Sequence, residues 1–150
     1  MVQRLRVRYA KRGRLRFASH RDISRAVERA VRRAGIPVAY SAGFTPHPKI
    51  SYAGAAPTGV ASEAEYLEIG VTRRCDPKRV RDDLDASLPT GLDVLDVVEA
   101  RVGNLADRLE ASEWEVRLPG ADPAAAREAA ERFLAADRVE VERLTKKGPR

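Results

Sequence analysis

The sequence predicts an α+β fold, on three observations. Stretches that alternate apolar and polar residues, as half-buried strands do, are separated by stretches whose apolar residues recur at helical spacing. The two clearest helical stretches each open on a capping residue, Ser19 and Asp76, and each is closed by a glycine–proline signal. Along residues 3–100 the elements run β-α-β-β-α-β. That order is the split-βαβ arrangement of a ferredoxin-like domain, an antiparallel sheet with both helices on one face.

Each element rests on its own pattern. From Gln3 to Tyr9, Leu5, Val7 and Tyr9 share one face and Arg4, Arg6 and Arg8 the other, so the wet face of the first strand is entirely cationic. Lys11-Arg12-Gly13 interrupts the alternation. It resumes with Leu15 and Phe17 inward and Arg14 and Arg16 outward, which predicts a hairpin or, preferably, one strand with a glycine bulge. Ser19 then caps a helix over about residues 20–34. Its apolar stripe is Ile23, Ala26, Val27, Ala30, Val31 and Ala34, stopped by Gly35 and Pro37. Residues 38–42 read as a short strand, Gly43 to Pro48 as a proline-braced loop, and Lys49 to Ala53 as a strand again. Gly54 to Gly59 is a second loop before the strand Glu65 to Val71. Asp76-Pro77 opens a helix carrying Val80, Leu84 and Leu88, and after Pro89-Thr90-Gly91 the stretch Leu92 to Ala100 is the last strand.

Residues 1–102 are therefore expected to form one ferredoxin-like domain. Residues 103–150 repeat part of the plan. A short helical stretch, Leu105 to Glu110, precedes alternating Trp114, Val116 and Leu118. Asp122-Pro123 opens an alanine-rich helix ending near Ala136, and Val139, Val141 and Arg143 suggest a strand. This βαβ extension reads as an incomplete second ferredoxin-like half, and a fragment of a longer protein is the favoured explanation.

Composition narrows the class. The chain of 150 residues is 43% hydrophobic, enough for a core. One cysteine, Cys75, leaves no internal disulfide framework or Cys-rich metal site. No run of about 18 apolar residues suggests a membrane span, and Met1-Val2-Gln3-Arg4-Leu5-Arg6 lacks the apolar core of a secretion signal. A cytoplasmic protein without a membrane partner is expected.

Charge is the distinctive feature. The net charge of +6 hides an imbalance: residues 1–50 hold 13 basic side chains against Asp22 and Glu28 alone. Arg4, Arg6, Arg8, Arg14 and Arg16 line the first strand, while Arg21, Arg25, Arg29 and Arg32 recur at helical spacing. Guanidinium groups bind phosphate bidentately, and clustering raises the local potential. Those nine arginines are the candidate nucleic-acid-binding residues. Against this, Arg outnumbers Lys 23 to 5, a bias that GC-rich coding also produces, and Glu63, Glu65 and Glu68 are placed to pair with the first strand if strands one and three are neighbours. A second constellation is Ser19, His20, Asp22, Phe44, His47, Lys49 and Tyr52. His20, His47 and Lys49 are the candidate groups for metal-independent general acid–base cleavage of RNA, and structural roles for both histidines compete with that. Two histidines and Asp22 are too few ligands to argue a metal site.

Several motifs carry a resemblance. They are Lys11-Arg12-Gly13-Arg14-Leu15-Arg16-Phe17-Ala18-Ser19-His20-Arg21-Asp22, Glu28 through Val38, Gly43-Phe44-Thr45-Pro46-His47-Pro48-Lys49-Ile50, Gly59-Val60, Glu65-Tyr66-Leu67 and Leu88-Pro89-Thr90-Gly91-Leu92. Together, over about residues 5–100, the chain resembles the bacterial radical-SAM-linked family, a domain without an assigned activity. Arg21 stands where that family's Ser-His-Leu-Asp run has leucine. The resemblance implies a radical-SAM enzyme as partner. The chain has no three-cysteine cluster motif and so no iron–sulfur cofactor of its own. The function expected is a non-catalytic accessory domain binding RNA through its arginines. The alternatives are an endoribonuclease using His20 and His47, on the analogy of the doubled ferredoxin-like CRISPR-RNA endonucleases, and a purely protein–protein module.

Overall fold

A computed structural model describes residues 1–142 and, beyond them, Leu144–Thr145 and Gly148–Pro149. Two compact units make up the chain, Met1–Ala111 and Ser112–Arg150. In the first, strands β1 (Gln3–Lys11), β2 (Ile50–Ala53), β3 (Ser62–Val71) and β4 (Leu92–Glu99) form one antiparallel sheet in the order β2-β3-β1-β4. Helix α1 (His20–Arg33) joins β1 to β2, and α2 (Pro77–Ser87) joins β3 to β4. This is the ferredoxin-like topology.

Alternation along β1 decides the layering. Leu5, Val7 and Tyr9 are buried with Leu67, Ile69 and Val71 of β3 and Val94 and Val97 of β4, and α1 and α2 add Ile23, Val27, Val31, Val80 and Leu84 to the same core. Both helices thus cover one face of the sheet. Arg4, Arg6 and Arg8 alternate onto the other. Leu95 is an extra residue in β4, where the pairing jumps from Arg8–Asp96 to Tyr9–Val94.

The helix ends follow from their residues. Ser19 Oγ accepts from Asp22 N–H at 3.2 Å. At the other end Gly35, at φ 65°, lets Ile36 N–H reach Val31 O and Gly35 N–H reach Arg32 O, both at 3.1 Å, the doubly bonded glycine C-cap. Asp76 accepts from Lys78 N–H ahead of Pro77, and α2 is tied to β4 where Asp85 Oδ1 accepts from Val94 N–H at 2.7 Å.

Four expected strands differ. Residues 13–17 are a 3-10 turn, not a strand: Gly13 has φ 54°, and Leu15 and Ala18 donate to Arg12 O and Leu15 O. The neighbours of β1 pair no further than Lys11, with Ser62 on one side and Leu92 on the other, so residues 14–17 have no strand to join. Residues 38–42 make only isolated bridges, Val38–Val71 and Tyr40–Pro48, because Pro37 and Pro48 lack the amides a ladder needs. In the second unit, Trp114, Val116 and Leu118 alternate without pairing, as do Val139 and Val141; the expected helix is present as α3 (Pro123–Ala135), with Asp122 Oδ2 accepting from Ala125 N–H. Leu144–Thr145 (β5) pairs with Gly148–Pro149 (β6). The expectation for Arg143 lies outside the described residues. Among the described residues no helix is long and apolar enough to cross a membrane.

Candidate nucleic-acid interface

The nine arginines separate into two groups. Those of β1 lie on the sheet face away from the helices, beside the acidic residues of β3. Register places Arg6 opposite Glu68, whose side chain is buried. Arg6 Nε donates to Glu68 Oε1 at 2.8 Å, and Arg4 Nη1 reaches Oε2 at 3.5 Å. Arg8 Nε donates to the Glu63 carbonyl at 2.8 Å, and Arg12 bridges Glu63 and Asp93 at 2.5 and 3.1 Å. The acidic third strand therefore neutralises much of the first. Glu65, in contrast, turns inward and accepts from Ala56 N–H.

Arg14 and Arg16 lie on the 3-10 turn, and Arg21, Arg25, Arg29 and Arg32 on the solvent face of α1, which is on the other side of the sheet. All six are exposed, and among the described residues none makes a salt bridge. The Arg16 guanidinium lies 4.6 Å over the ring of Phe17, itself 59% exposed. Gly59 N–H donates to Arg16 O and so fixes this turn against the Gly54–Gly59 loop. Asp22 is the acidic residue of the first turn of α1. The hydroxyl of Ser19, donating to Asp22 Oδ2 at 2.6 Å, holds its pKa below the ordinary carboxylate range, with Arg25 and Arg21 adding to the effect. Arg21 points to solvent, so its replacing an expected leucine disturbs no packing.

The second constellation divides. His20, in the first turn of α1, meets Tyr52 of β2 edge-on, ring centroids 4.9 Å apart and planes at 87°. Among the described residues the buried Tyr52 Oη has no hydrogen bond of good geometry; burial pushes its pKa up, the Ser24 hydroxyl opposes the rise, and the charge of Glu28 adds to it. His47 belongs elsewhere. It closes a turn with Ser41, its N–H donating to Ser41 Oγ and its carbonyl accepting from Ser41 N–H. Lys49 follows, with its backbone bonded to Ala39 and to Gly70 near the end of β3. Phe44 stands fully in solvent. Among the described residues no hydrogen bond or ring contact joins His20 to His47, and none brings together three His, Cys, Asp or Glu side chains as a metal site.

One buried group was not anticipated. Lys11 is only 2% exposed and donates from Nζ to the carbonyls of Ala56 and Pro57 at 2.9 and 3.2 Å. Glu65, 3% exposed, takes the Ala56 amide. Two opposite charges thus hold the Gly54–Gly59 loop by both backbone groups of one residue. Period two had the signal, since Lys11 shares the face of Leu5, Val7 and Tyr9. Beside them, burial and Glu65 raise the pKa of Tyr9 well above the tyrosine range.

Fold and surface together define a small α+β domain of ferredoxin-like topology with surface basic residues. The chain belongs to the family described as uncharacterized protein conserved in bacteria (DUF2344), which it matches over residues 4–150. No curated protein matches it.

Proposed function

We propose that the chain is a non-catalytic, RNA-binding accessory domain whose RNA-facing surface is the outer face of α1 with the adjoining Gly13–Phe17 turn. One observation carries the reading: Arg14, Arg16, Arg21, Arg25, Arg29 and Arg32 are exposed and among the described residues have no carboxylate partner, whereas the β1 arginines are occupied. Phosphate is the anion such an array suits best. Phe17 beneath Arg16 adds a stacking surface that an unpaired base fits. A radical-SAM enzyme as partner rests on the resemblance of residues 5–100. For residues 103–150 the reading is a partial second half of the same plan, supported by the repeated Asp-Pro helix start and by the exposed Trp114, Val116, Leu118, Phe133 and Leu134 of the second unit.

The test is fluorescence anisotropy of a labelled single-stranded RNA across a salt series. Affinity at about 50 mM salt should fall steeply as salt rises. Each arginine of α1 that neutralises a phosphate contributes about −0.7 to the logarithmic slope. Arg21→Gln, Arg25→Gln and Arg29→Gln combined should therefore flatten it by about 2. Undetectable or salt-insensitive binding sinks the reading.

A second reading has an observation of its own. The arginines of β1 and α1 lie on opposite sides of the sheet and do not make one groove, which suits α1 docking on an acidic protein surface. Copurification with a radical-SAM protein after nuclease treatment, with no RNA affinity, would select it.

A further inference from the structure

The face of the sheet opposite the helices is partly roofed by the chain that leaves β4. Ala100 N–H donates to Arg4 O at 2.8 Å, Arg6 Nη2 donates to the carbonyls of Val102 and Gly103 at 3.2 and 2.6 Å, and Leu105 is buried. Arg6, already held by Glu68, thereby pins residues 100–109 across the sheet as a strap. Between strap and sheet lies a cavity of about 540 Å³, within the range of small-molecule sites.

Its lining is two-sided. Tyr66 and Val98 from the sheet and Leu109 from the strap are apolar groups left open to it, Val98 at 47% exposure. An apolar floor that stays wet in a folded domain is the kind of surface a ring covers favourably. Around this floor stand Arg8, whose Nε is given to the Glu63 carbonyl, and Arg101 and Arg108; among the described residues no carboxylate lies within salt-bridge reach of any of them. Of the two acids in the lining, Glu99 is 3.6 Å from Arg74, and Asp96, opposite Arg8 in the register, is in no salt bridge among the described residues. The site therefore offers exposed apolar side chains, the guanidinium groups of Arg101 and Arg108, and the carboxylate of Asp96. An apolar ligand would leave the arginines unused, and a bare anion would leave the floor wet.

We propose that this cavity is a nucleotide site. A planar base covers Tyr66 and Val98, the phosphate takes Arg101 and Arg108 from the strap, and Asp96 accepts from a base amino or ribose hydroxyl group. The site is independent of the RNA reading of α1, which concerns the other side of the sheet. The nucleotide has two sources, a free mononucleotide or an unstacked residue of an RNA strand.

The experiment is calorimetric titration of the full chain with AMP, adenosine, inorganic phosphate and a short single-stranded RNA. Controls are Tyr66→Leu, Arg108→Gln and, on α1, Arg25→Gln, each checked for folding by circular dichroism. AMP should bind at least about tenfold more tightly than adenosine or phosphate, since ring and anion are both used. Tyr66→Leu and Arg108→Gln should each weaken AMP about tenfold, with Arg25→Gln unchanged. If AMP does not bind but RNA does, and both cavity variants weaken the RNA, the site stands with RNA as its source. Loss of RNA binding in Arg25→Gln alone bears on the α1 surface and not on the cavity. The proposal is overturned if folded Tyr66→Leu and Arg108→Gln bind every probe as the parent does, or if AMP binds no better than phosphate and the cavity variants leave RNA unaffected.

Discussion

Strand β1 and helix α1 carry the same residue type in the same density and put it to opposite uses. On β1 the arginines meet β3 across a fixed register, so Glu68 and the Glu63 carbonyl absorb Arg4, Arg6 and Arg8. On α1 the row Arg21, Arg25, Arg29 and Arg32 lies on the exposed face of the helix, and among the described residues none of the four is in a salt bridge. Sheet neighbours are dictated by pairing, whereas the outer face of a helix has no built-in partner. A run of arginines in a sequence therefore says little about binding until the opposite strand is known.

The contrast is most easily broken at Glu68. The Glu68 and Arg6 side chains are 9% and 12% exposed, so Glu68→Gln leaves a nearly buried guanidinium without its counter-charge, held only by neutral acceptors. A loss of about 3 kcal/mol in urea-induced unfolding is expected. Arg25→Gln and Arg29→Gln, at exposed sites, should each shift stability by less than about 0.5 kcal/mol in the same assay. Comparable losses at both places would erase the distinction.

Tyr52 gives a smaller effect of opposite sign. Its hydroxyl is buried without a well-formed partner beneath α1, so Tyr52→Phe should be neutral or stabilising by up to about 1 kcal/mol. A clear destabilisation would mean that Ser24 or His20 depends on that hydroxyl.

The smallest effect reports on α1 directly. The lowered pKa of Asp22 favours the charged form in the folded chain, so its contribution to stability is present above about pH 4 and is lost as pH falls through the folded value. Followed by NMR, the Asp22 titration should move toward the ordinary range in Ser19→Ala, and less in Arg25→Gln. The reverse ranking would make the arginine field the dominant influence.

How much of this was legible depended on whether a pattern contained its own partner. The βαββαβ order, the Ser19 and Asp76 caps and the Gly35 stop are local, and all stand in the structure. The neighbouring of strands one and three was legible too, because topology forces it; Glu63 and Glu68 meet arginines as expected, while Glu65 turns inward to Ala56. Leu15 and Phe17 misled because two apolar residues at spacing two also fit a single 3-10 turn, and only the ends of β3 and β4 decide between them. Trp114, Val116 and Leu118 alternate as a strand would, but alternation without a neighbouring strand forms no ladder. His20 and His47 are close in an element diagram, but Tyr52 holds one and Ser41 the other. The cavity had no sequence signal: the expected helical stretch Leu105 to Glu110 is a single 3-10 turn over Ala106–Arg108, and nothing in its pattern says that it lies over the sheet.

The grip of Lys11 and Glu65 on Ala56 has a consequence for how this domain changes over time. Neither charge is tolerable in the interior alone, and each is accommodated through the same short loop. Replacing one therefore exposes the other to counter-selection, so positions 11 and 65 should be inherited together or lost together, along with the length of the loop between Gly54 and Gly59. Distant members of the family that keep the lysine should keep the glutamate, whatever has become of their surface arginines.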